Sequence, residues 1–168
     1  MCHKLGIAVK YYDKLEQGND GKCTVINKQP IILVRQECNR QRKRFTIAHE
    51  LGHILLGHVG KYELINREIS PTDNPIEQEA NVFASRLLAP ACVLWGLKVK
   101  SADEIAQICD ISPTAAEYRW QRMQELYKRN KFLIAQLERE VYRQFQEFIS
   151  NHRHLANPEV FSNRRLLR

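Results

Sequence analysis

Two histidines and a glutamate stand at a spacing that metal chemistry uses. His49 and Glu50 are adjacent, and His53 follows four residues after His49. Positions i and i+4 of an α-helix lie on the same face, so both imidazoles can bind one metal ion. Glu50 then lies at the edge of that face, where a carboxylate can take a proton from water and pass it to a leaving amine. The pattern predicts a metal-dependent hydrolase with Glu50 as the catalytic base and acid.

A chance match is the alternative interpretation of so short a motif. The segment from Phe45 to Leu56 is otherwise largely apolar, and two imidazoles and a carboxylate placed there would cost free energy without a partner. We therefore favour a metal site. Zinc, one ion per chain, is the default for such ligands, although manganese or iron would also fit them.

A catalytic zinc site needs a third protein ligand. One class of zinc peptidase supplies a histidine in the motif H-E-x-x-H-x-x-G-x-x-H, which would require glycine at position 56 and histidine at position 59. This chain has Leu56 and Val59, so that class is excluded. His58 stands at a different spacing, and we interpret it as a histidine at the helix end rather than a ligand.

Two glutamates of the next predicted helix could supply the third ligand. At 100° per residue, Glu77 falls about 60° from the centre of the apolar stripe, and Glu79 falls about 100° away on the other side. Glu77 is the favoured ligand and Glu79 the alternative metal ligand, while a capping bond from Glu77 back to Asn74 is the competing role. Asn81 lies one turn beyond Glu77, where it could hold the outer nitrogen of His49.

Strands and helices must position these residues. Three short runs of β-branched and aromatic residues precede residue 40, with turn residues between them, and predict three short strands, largely antiparallel. Helical spacing follows until Gly57, and a second helix is predicted from Asn74 to about Leu88, after a loop over roughly 58–73. The expected fold class is α+β: a small three-stranded N-terminal sheet packed on the HExxH helix and the glutamate-bearing helix, then a helical C-terminal part.

The C-terminal part has helix-turn-helix spacing. A capping box at Ser101 opens one helix, and Ser112 opens another, whose apolar stripe either continues as one long helix or breaks near Asn130. The start of the second helix lacks the side chains that recognise bases, so direct DNA binding is not expected. Arg119 and Arg122 are placed for phosphate contacts at best.

Composition sets the outer limits of the interpretation. A chain of 168 residues with 43% hydrophobic residues suits one compact domain, or one domain with a helical appendage. No uninterrupted apolar run reaches the length of a membrane span and no signal-peptide core is present, so we expect a cytoplasmic protein without a membrane partner. The five cysteines include no C-x-x-C pair and predict reduced thiols.

The net charge of +7 is unevenly distributed. Residues 1–60 carry 10 basic and 5 acidic groups, residues 61–110 carry 5 and 8, and residues 111–168 carry 11 and 6. Either basic flank could contact an acidic partner or nucleic acid, although a solvated surface is the commoner role. We predict a zincin-like metallopeptidase core over residues 1–97, a helical part over 98–150, and a basic, mobile tail over 151–168.

Two blocks of the sequence resemble the ImmA/IrrE metallo-endopeptidases of bacteria and their mobile elements. The first runs from Arg44 to His58 and contains the HExxH motif. The second is Glu77-x-x-Ala80-Asn81-x-Phe83-Ala84-Ser85-x-Leu87-Leu88-x-Pro90. The resemblance covers roughly residues 5–150 and implies a gluzincin-like zinc protease in which His49, His53 and Glu77 bind the metal and Glu50 is catalytic.

The resemblance also implies the kind of substrate. The family cleaves helix-turn-helix transcriptional repressors and thereby induces a mobile element or a stress response. The predicted sheet suggests how such a substrate could bind, since an extended peptide could add to its exposed edge. His58 and Tyr62 are near enough in sequence to be candidates for oxyanion stabilisation, but neither can be assigned. The alternative function is a non-proteolytic metal-containing regulatory module that binds a repressor, an antitoxin or DNA, and the intact Glu50 speaks against it.

Overall fold

The computed structural model describes residues 1–13, 20–59 and 74–153, and it confirms the α+β fold class. Most of the predicted loop at 58–73 and of the predicted tail at 151–168 lies outside the described residues. The described elements are a short 3-10 turn (Cys2–Leu5), strands β1 (Ala8–Tyr12), β2 (Gly21–Ile26) and β3 (Gln29–Arg35), and helices α1 (Arg40–Leu55), α2 (Pro75–Leu88), α3 (Ala91–Leu97), α4 (Ala102–Cys109), α5 (Pro113–Lys128), α6 (Gln136–Gln144) and α7 (Gln146–His152).

The chain divides into two compact units, Met1–Leu88 and Ala89–Arg168. The candidate metal ligands all belong to the first unit. The domain boundaries predicted from the sequence stay predictions.

The sheet is mixed, with the strand order β1-β3-β2. β2 and β3 form an antiparallel hairpin whose two turn residues, Asn27 and Lys28, have φ of 50° and 63°, as a tight hairpin turn requires. β1 pairs with β3 in parallel, so the expectation of largely antiparallel strands is wrong for one of the two pairings. β3 takes the central position because it is the most apolar strand: Ile32 and Val34 are fully buried.

Helix α1 carries the HExxH motif across this sheet. The side chain of Asn39 caps it by accepting a hydrogen bond from the backbone nitrogen of Arg42 at 2.8 Å. It ends before Gly57, whose φ of 71° suits a glycine after a helix end, as the sequence predicts. Its buried face joins the core cluster of Ile7, Ile32, Val34 and Leu51.

Helices α1 and α2 cross at close range through small residues. A Cβ atom at Gly52 would lie 3.1 Å from the Phe83 ring and 3.3 Å from the Cα of Ala80, which is tighter than ordinary van der Waals contact. Ala80 and Ala84 are fully buried. Because Gly52 has no side chain, the backbone of α2 at Ala80 comes close to α1, and Glu77, one turn before Ala80, can approach the histidine face of α1.

The second unit contains the predicted helix pair. The hydroxyls of Ser101 and Ser112 cap α4 and α5, each accepting a backbone hydrogen bond at 3.2 Å. Of the two alternatives for the long apolar stripe, the broken one is right: α5 ends at Lys128, and Asn130 adopts a φ of 46°.

Arg119 differs from its predicted role. The residue is 7% exposed, and its Nε donates a hydrogen bond to the backbone carbonyl of Ala89 at 2.7 Å. Its position lies between Ala116 and Met123 on the buried face of α5, so the side chain turns inward. The expectation that Arg119 could contact phosphate is therefore wrong.

One stretch of the described residues, Pro75–Leu97, is long and apolar enough to cross a membrane on length and composition alone. It comprises α2 and α3, with Pro90 between them. Buried core helices meet the same criterion, so the stretch is only a weak indication of a span.

Candidate metal centre

The side chains of His49, His53 and Glu77 converge between α1 and α2. The two Nε2 atoms are 3.0 Å apart, and the Glu77 carboxylate lies 3.1 Å from the Nε2 of His49 and 3.5 Å from that of His53. One ligand atom from each residue lies within 4.8 Å of the others. Helical geometry explains the pair on α1, and the crossing at Gly52 explains the approach of Glu77.

The charges at this cluster support one another. Hydrogen bonds with His49 and then His53 lower the pKa of Glu77 to about 2, so its carboxylate is ionised at neutral pH. Burial acts to lower the pKa of His49, but the hydrogen bond that His49 donates to Glu77 and the negative charge of Glu50 outweigh it and raise that pKa. A cation between these groups would face a preformed anionic ligand.

The donor set fits a zinc ion. Two imidazole nitrogens and one carboxylate leave a fourth position open, as catalytic zinc sites do. The outer nitrogen of each ring also has a partner: His49 Nδ1 donates to Asn81 Oδ1 at 2.9 Å, and His53 Nδ1 lies 3.1 Å from His58 Nδ1. Such partners fix the ring orientation, so both Nε2 atoms point to one place.

Glu50 lies beside this cluster at a cavity of about 850 Å³. The residue is 8% exposed, and the thiol of Cys23 on β2 lies close to its carboxylate. Burial, and then the negative charge of Glu50, raise the pKa of Cys23, so its thiol stays neutral at pH 7. The arrangement gives the cavity a buried carboxylate next to the place where three ligand atoms meet.

The remaining predicted site residues lie further out. Glu79, the alternative ligand, is 64% exposed, and its carboxylate lies 3.0 Å from His58 Nε2 rather than among the three convergent ligand atoms. His58 itself is buried beneath His53. Tyr62 lies outside the described residues.

Sequence reasoning missed two neighbours of the site. Cys23 was expected only to be a reduced thiol, but it lies close to Glu50 because its strand lies against α1. His58 was interpreted as a histidine at the helix end rather than a ligand, and its contact with His53 was not predicted. Its distance of five residues from His53, just after a glycine that could turn the chain back, was the available signal.

The edge strand β2 forms one wall of the cavity. Lys22, Cys23, Thr24 and Val25 line it opposite the two histidines. A Cβ atom at Gly21 would lie 2.2 Å from the side chain of Thr46, so glycine is needed where β2 approaches α1. The close approach holds the strand beside Glu50.

A helix with an HExxH motif, a glutamate on the next helix and a small sheet along the cavity define a metallopeptidase class of domain. The chain belongs to the family described as Peptidase_M78, IrrE N-terminal-like domain, whose model matches residues 2–121. The resemblance to the ImmA/IrrE family is thereby confirmed.

Two curated relatives carry the name radiation response metalloprotease IrrE. The protein from Deinococcus deserti is 32% identical over 99 residues, which cover 52% of this chain and 34% of the relative. That from Deinococcus radiodurans is 29% identical over 99 residues, covering 52% and 30%. The match thus spans about a third of each relative. Among solved structures, a transcriptional regulator of Mycobacterium tuberculosis aligns with a TM-score of 0.48 and 17% identity, over 69% of this chain and 36% of its own.

Proposed function

We propose that this protein is a zinc-dependent metallo-endopeptidase that cleaves a helix-turn-helix transcriptional repressor in the cytoplasm and so induces a mobile element or a stress response. The convergence of His49, His53 and Glu77 beside the buried carboxylate of Glu50 is the observation that carries the proposal. The family membership supports a metallopeptidase, and the name of the curated relatives is consistent with a stress response. The repressor as substrate depends on the ImmA/IrrE resemblance.

His49, His53 and Glu77 would hold the metal. A bound zinc ion would supply Lewis acidity that lowers the pKa of water and polarises a carbonyl. Glu50 would accept the proton of the attacking water at its carboxylate and deliver it to the nitrogen of the leaving amine. The atoms balance as hydrolysis: one water is added and one peptide bond is broken.

The substrate would bind as an added strand. β2 has β3 on one side, and among the described strands no other pairs with it on the far side. Because β2 also lines the cavity, a peptide paired with that edge would pass in front of Glu50 and be held by main-chain hydrogen bonds.

Metal stoichiometry tests the centre. We expect one zinc per purified chain by mass spectrometry, and loss of that zinc in Glu77→Gln, while Glu79→Gln still binds one equivalent when zinc is saturating. Absence of metal from the wild type after zinc addition would contradict the proposal.

Cleavage tests the role of Glu50. Glu50→Gln should retain one zinc per chain and cleave a repressor encoded near this protein about 10²- to 10⁴-fold more slowly, since the amide cannot take a proton. A structure of this variant with bound substrate peptide tests the docking mode. A peptide bound far from β2 would contradict the strand-addition model.

A further inference from the structure

We propose that Glu79 and His58 form a positioning pair that fixes the ring of His53, so that its Nε2 stays directed at the metal position. This inference rests on the proposed function, since it assumes that His53 binds a metal. It gives a role to Glu79 and His58, which are not among the three candidate metal ligands.

The three side chains form one continuous line of hydrogen bonds. His53 Nδ1 lies 3.1 Å from His58 Nδ1, and His58 Nε2 lies 3.0 Å from a carboxylate oxygen of Glu79. His53 Nε2, at the opposite side of its ring, faces Glu77. His53 therefore directs Nε2 at Glu77 and Nδ1 at His58, and His58 directs Nδ1 at His53 and Nε2 at Glu79.

This geometry assigns the protons. When His53 Nε2 binds a metal through its lone pair, His53 Nδ1 carries the hydrogen and donates it to His58 Nδ1. His58 is then protonated on Nε2, which donates to the Glu79 carboxylate. All donors point the same way, from the metal position outward, and the negative charge at the end stabilises that one tautomer of both rings.

The backbone holds His58 in place independently of Glu79. The backbone nitrogen of His58 donates to the carbonyl of His53 at 2.8 Å, and Gly57 between them has a φ of 71°. This left-handed turn folds the chain back under the last turn of α1, which buries the His58 ring against His53. A fixed, buried ring with a defined acceptor nitrogen can act as a rigid support.

The two metal-binding histidines thus have unlike supports. His49 has the amide oxygen of Asn81, whereas His53 has an imidazole backed by a carboxylate. The distinction provides a matched substitution: in His58→Asn, the amide Oδ1 occupies the position of the imidazole Nδ1, two bonds from Cβ, and can still accept from His53. His58→Leu has similar size and no acceptor.

Zinc affinity, measured by competition with a chromophoric chelator, tests the pair. Removing such an outer partner usually costs about 10- to 100-fold in metal affinity. We expect a loss in that range for His58→Leu and a smaller loss for His58→Asn. Glu79→Gln should cost less than His58→Leu, because its carboxylate is 64% exposed and screened by water. Glu37→Gln, an exposed carboxylate in the same unit, is the control and should change nothing.

A second readout separates positioning from general stability. The visible absorption of bound Co²⁺ reports the geometry of its ligands, so its bands should shift in His58→Leu and return toward the wild-type positions in His58→Asn. Glu79→Gln should weaken zinc binding in the wild-type background but not in His58→Asn, which no longer connects Glu79 to His53. If His58→Leu does not fold, the effect of Glu79→Gln on zinc affinity in the wild type and in His58→Asn still tests whether Glu79 acts through His58.

The failures can be told apart. A wild type that binds no metal would overturn the proposed function. A wild type that binds one zinc with the same affinity and Co²⁺ spectrum as Glu79→Gln and His58→Leu would overturn only the positioning pair. An equal effect of Glu79→Gln in both backgrounds would also overturn it, since Glu79 would then act by another route.

Discussion

The amide of Asn81 holds the ring of His49 through a single hydrogen bond of 2.9 Å. Asn81→Ala removes the acceptor, so we expect zinc affinity to fall about 10- to 100-fold. Asn81→Asp retains an acceptor oxygen and should lose less. Titration of both variants against a competing chelator measures the difference, and equal affinity of Asn81→Ala and the wild type would show that Asn81 does not support the site.

Asp20 joins the start of β2 to two arginines and makes stability depend on pH. Burial acts to raise its pKa, but the hydrogen bond and charge of Arg42, with the charge of Arg35, lower it below 3.8. A carboxyl whose folded pKa is depressed stabilises the fold above its unfolded pKa and loses that contribution as the pH falls through the folded value.

Asp20→Asn should therefore be less stable than the wild type at neutral pH, on the order of 1 kcal/mol because the ion pairs are partly exposed. The gap should close as the pH drops below 3.8 toward the folded pKa. Urea unfolding of both proteins at several pH values measures it. A gap that stays constant down to acidic pH would contradict the assignment.

The relative positions of site residues could be predicted from the sequence where the residues lie on the same helix. His49, His53 and Glu50 follow from helical periodicity, and so does the placement of Asn81 one turn after Glu77. The link from Glu79 to His58 was not predictable, because it depends on how the chain turns at Gly57 and on the crossing of two helices. Periodicity describes neighbours within an element and gives no distances between elements.

The crossing of α1 and α2 sets the distance between the ligands at the scale of elements. Gly52→Ala should favour the isolated helix by about 0.5 to 1 kcal/mol, but its methyl group meets Phe83 and the backbone of Ala80. Since Ala80 Cα cannot move without α2, we expect Glu77 to shift and zinc affinity to fall. Chelator competition and thermal unfolding on the same sample separate the two effects. Unchanged zinc affinity would mean that the helices accommodate the methyl group without moving Glu77.

The elements themselves were predicted better than their pairing. Caps at Asn39, Ser101 and Ser112 and the glycine after α1 are local signals, and the helices begin and end near them. The parallel pairing of β1 with β3 has no local signal, because it depends on which strand the core surrounds on both faces. The burial of Arg119 also has no local signal: a charged residue type indicates the surface, and its hydrogen-bond partner, the carbonyl of Ala89, is 30 residues away in the sequence.

Metal binding should be visible in the stability of the whole molecule. Zinc at 100 times its dissociation constant should stabilise the folded chain by about 2.7 kcal/mol, which raises the melting temperature by roughly 5 to 10 °C for a chain of this length. Differential scanning fluorimetry with zinc or with a chelator measures the shift. Glu77→Gln should show little of it, and a full shift in that variant would mean that zinc binds elsewhere.

The family match and the two units do not share a boundary. The matched residues, 2–121, extend beyond Leu88 through α3 and α4 and into α5. The three candidate ligands, His49, His53 and Glu77, all lie before that point. The match therefore includes α4 and the first part of α5, neither of which carries one of the three candidate ligands.

The strand order has a consequence for the sequence of folding events. The hairpin of β2 and β3 closes through two residues and can form soon after Arg35 is synthesised, whereas β1 leaves the ribosome first and must wait for a partner 23 positions later in the chain. Until then its apolar residues stay accessible to chaperones. The ligand cluster is completed later still, because Glu77 comes last along the chain, so zinc capture should mark the end of folding of the first unit rather than its nucleation.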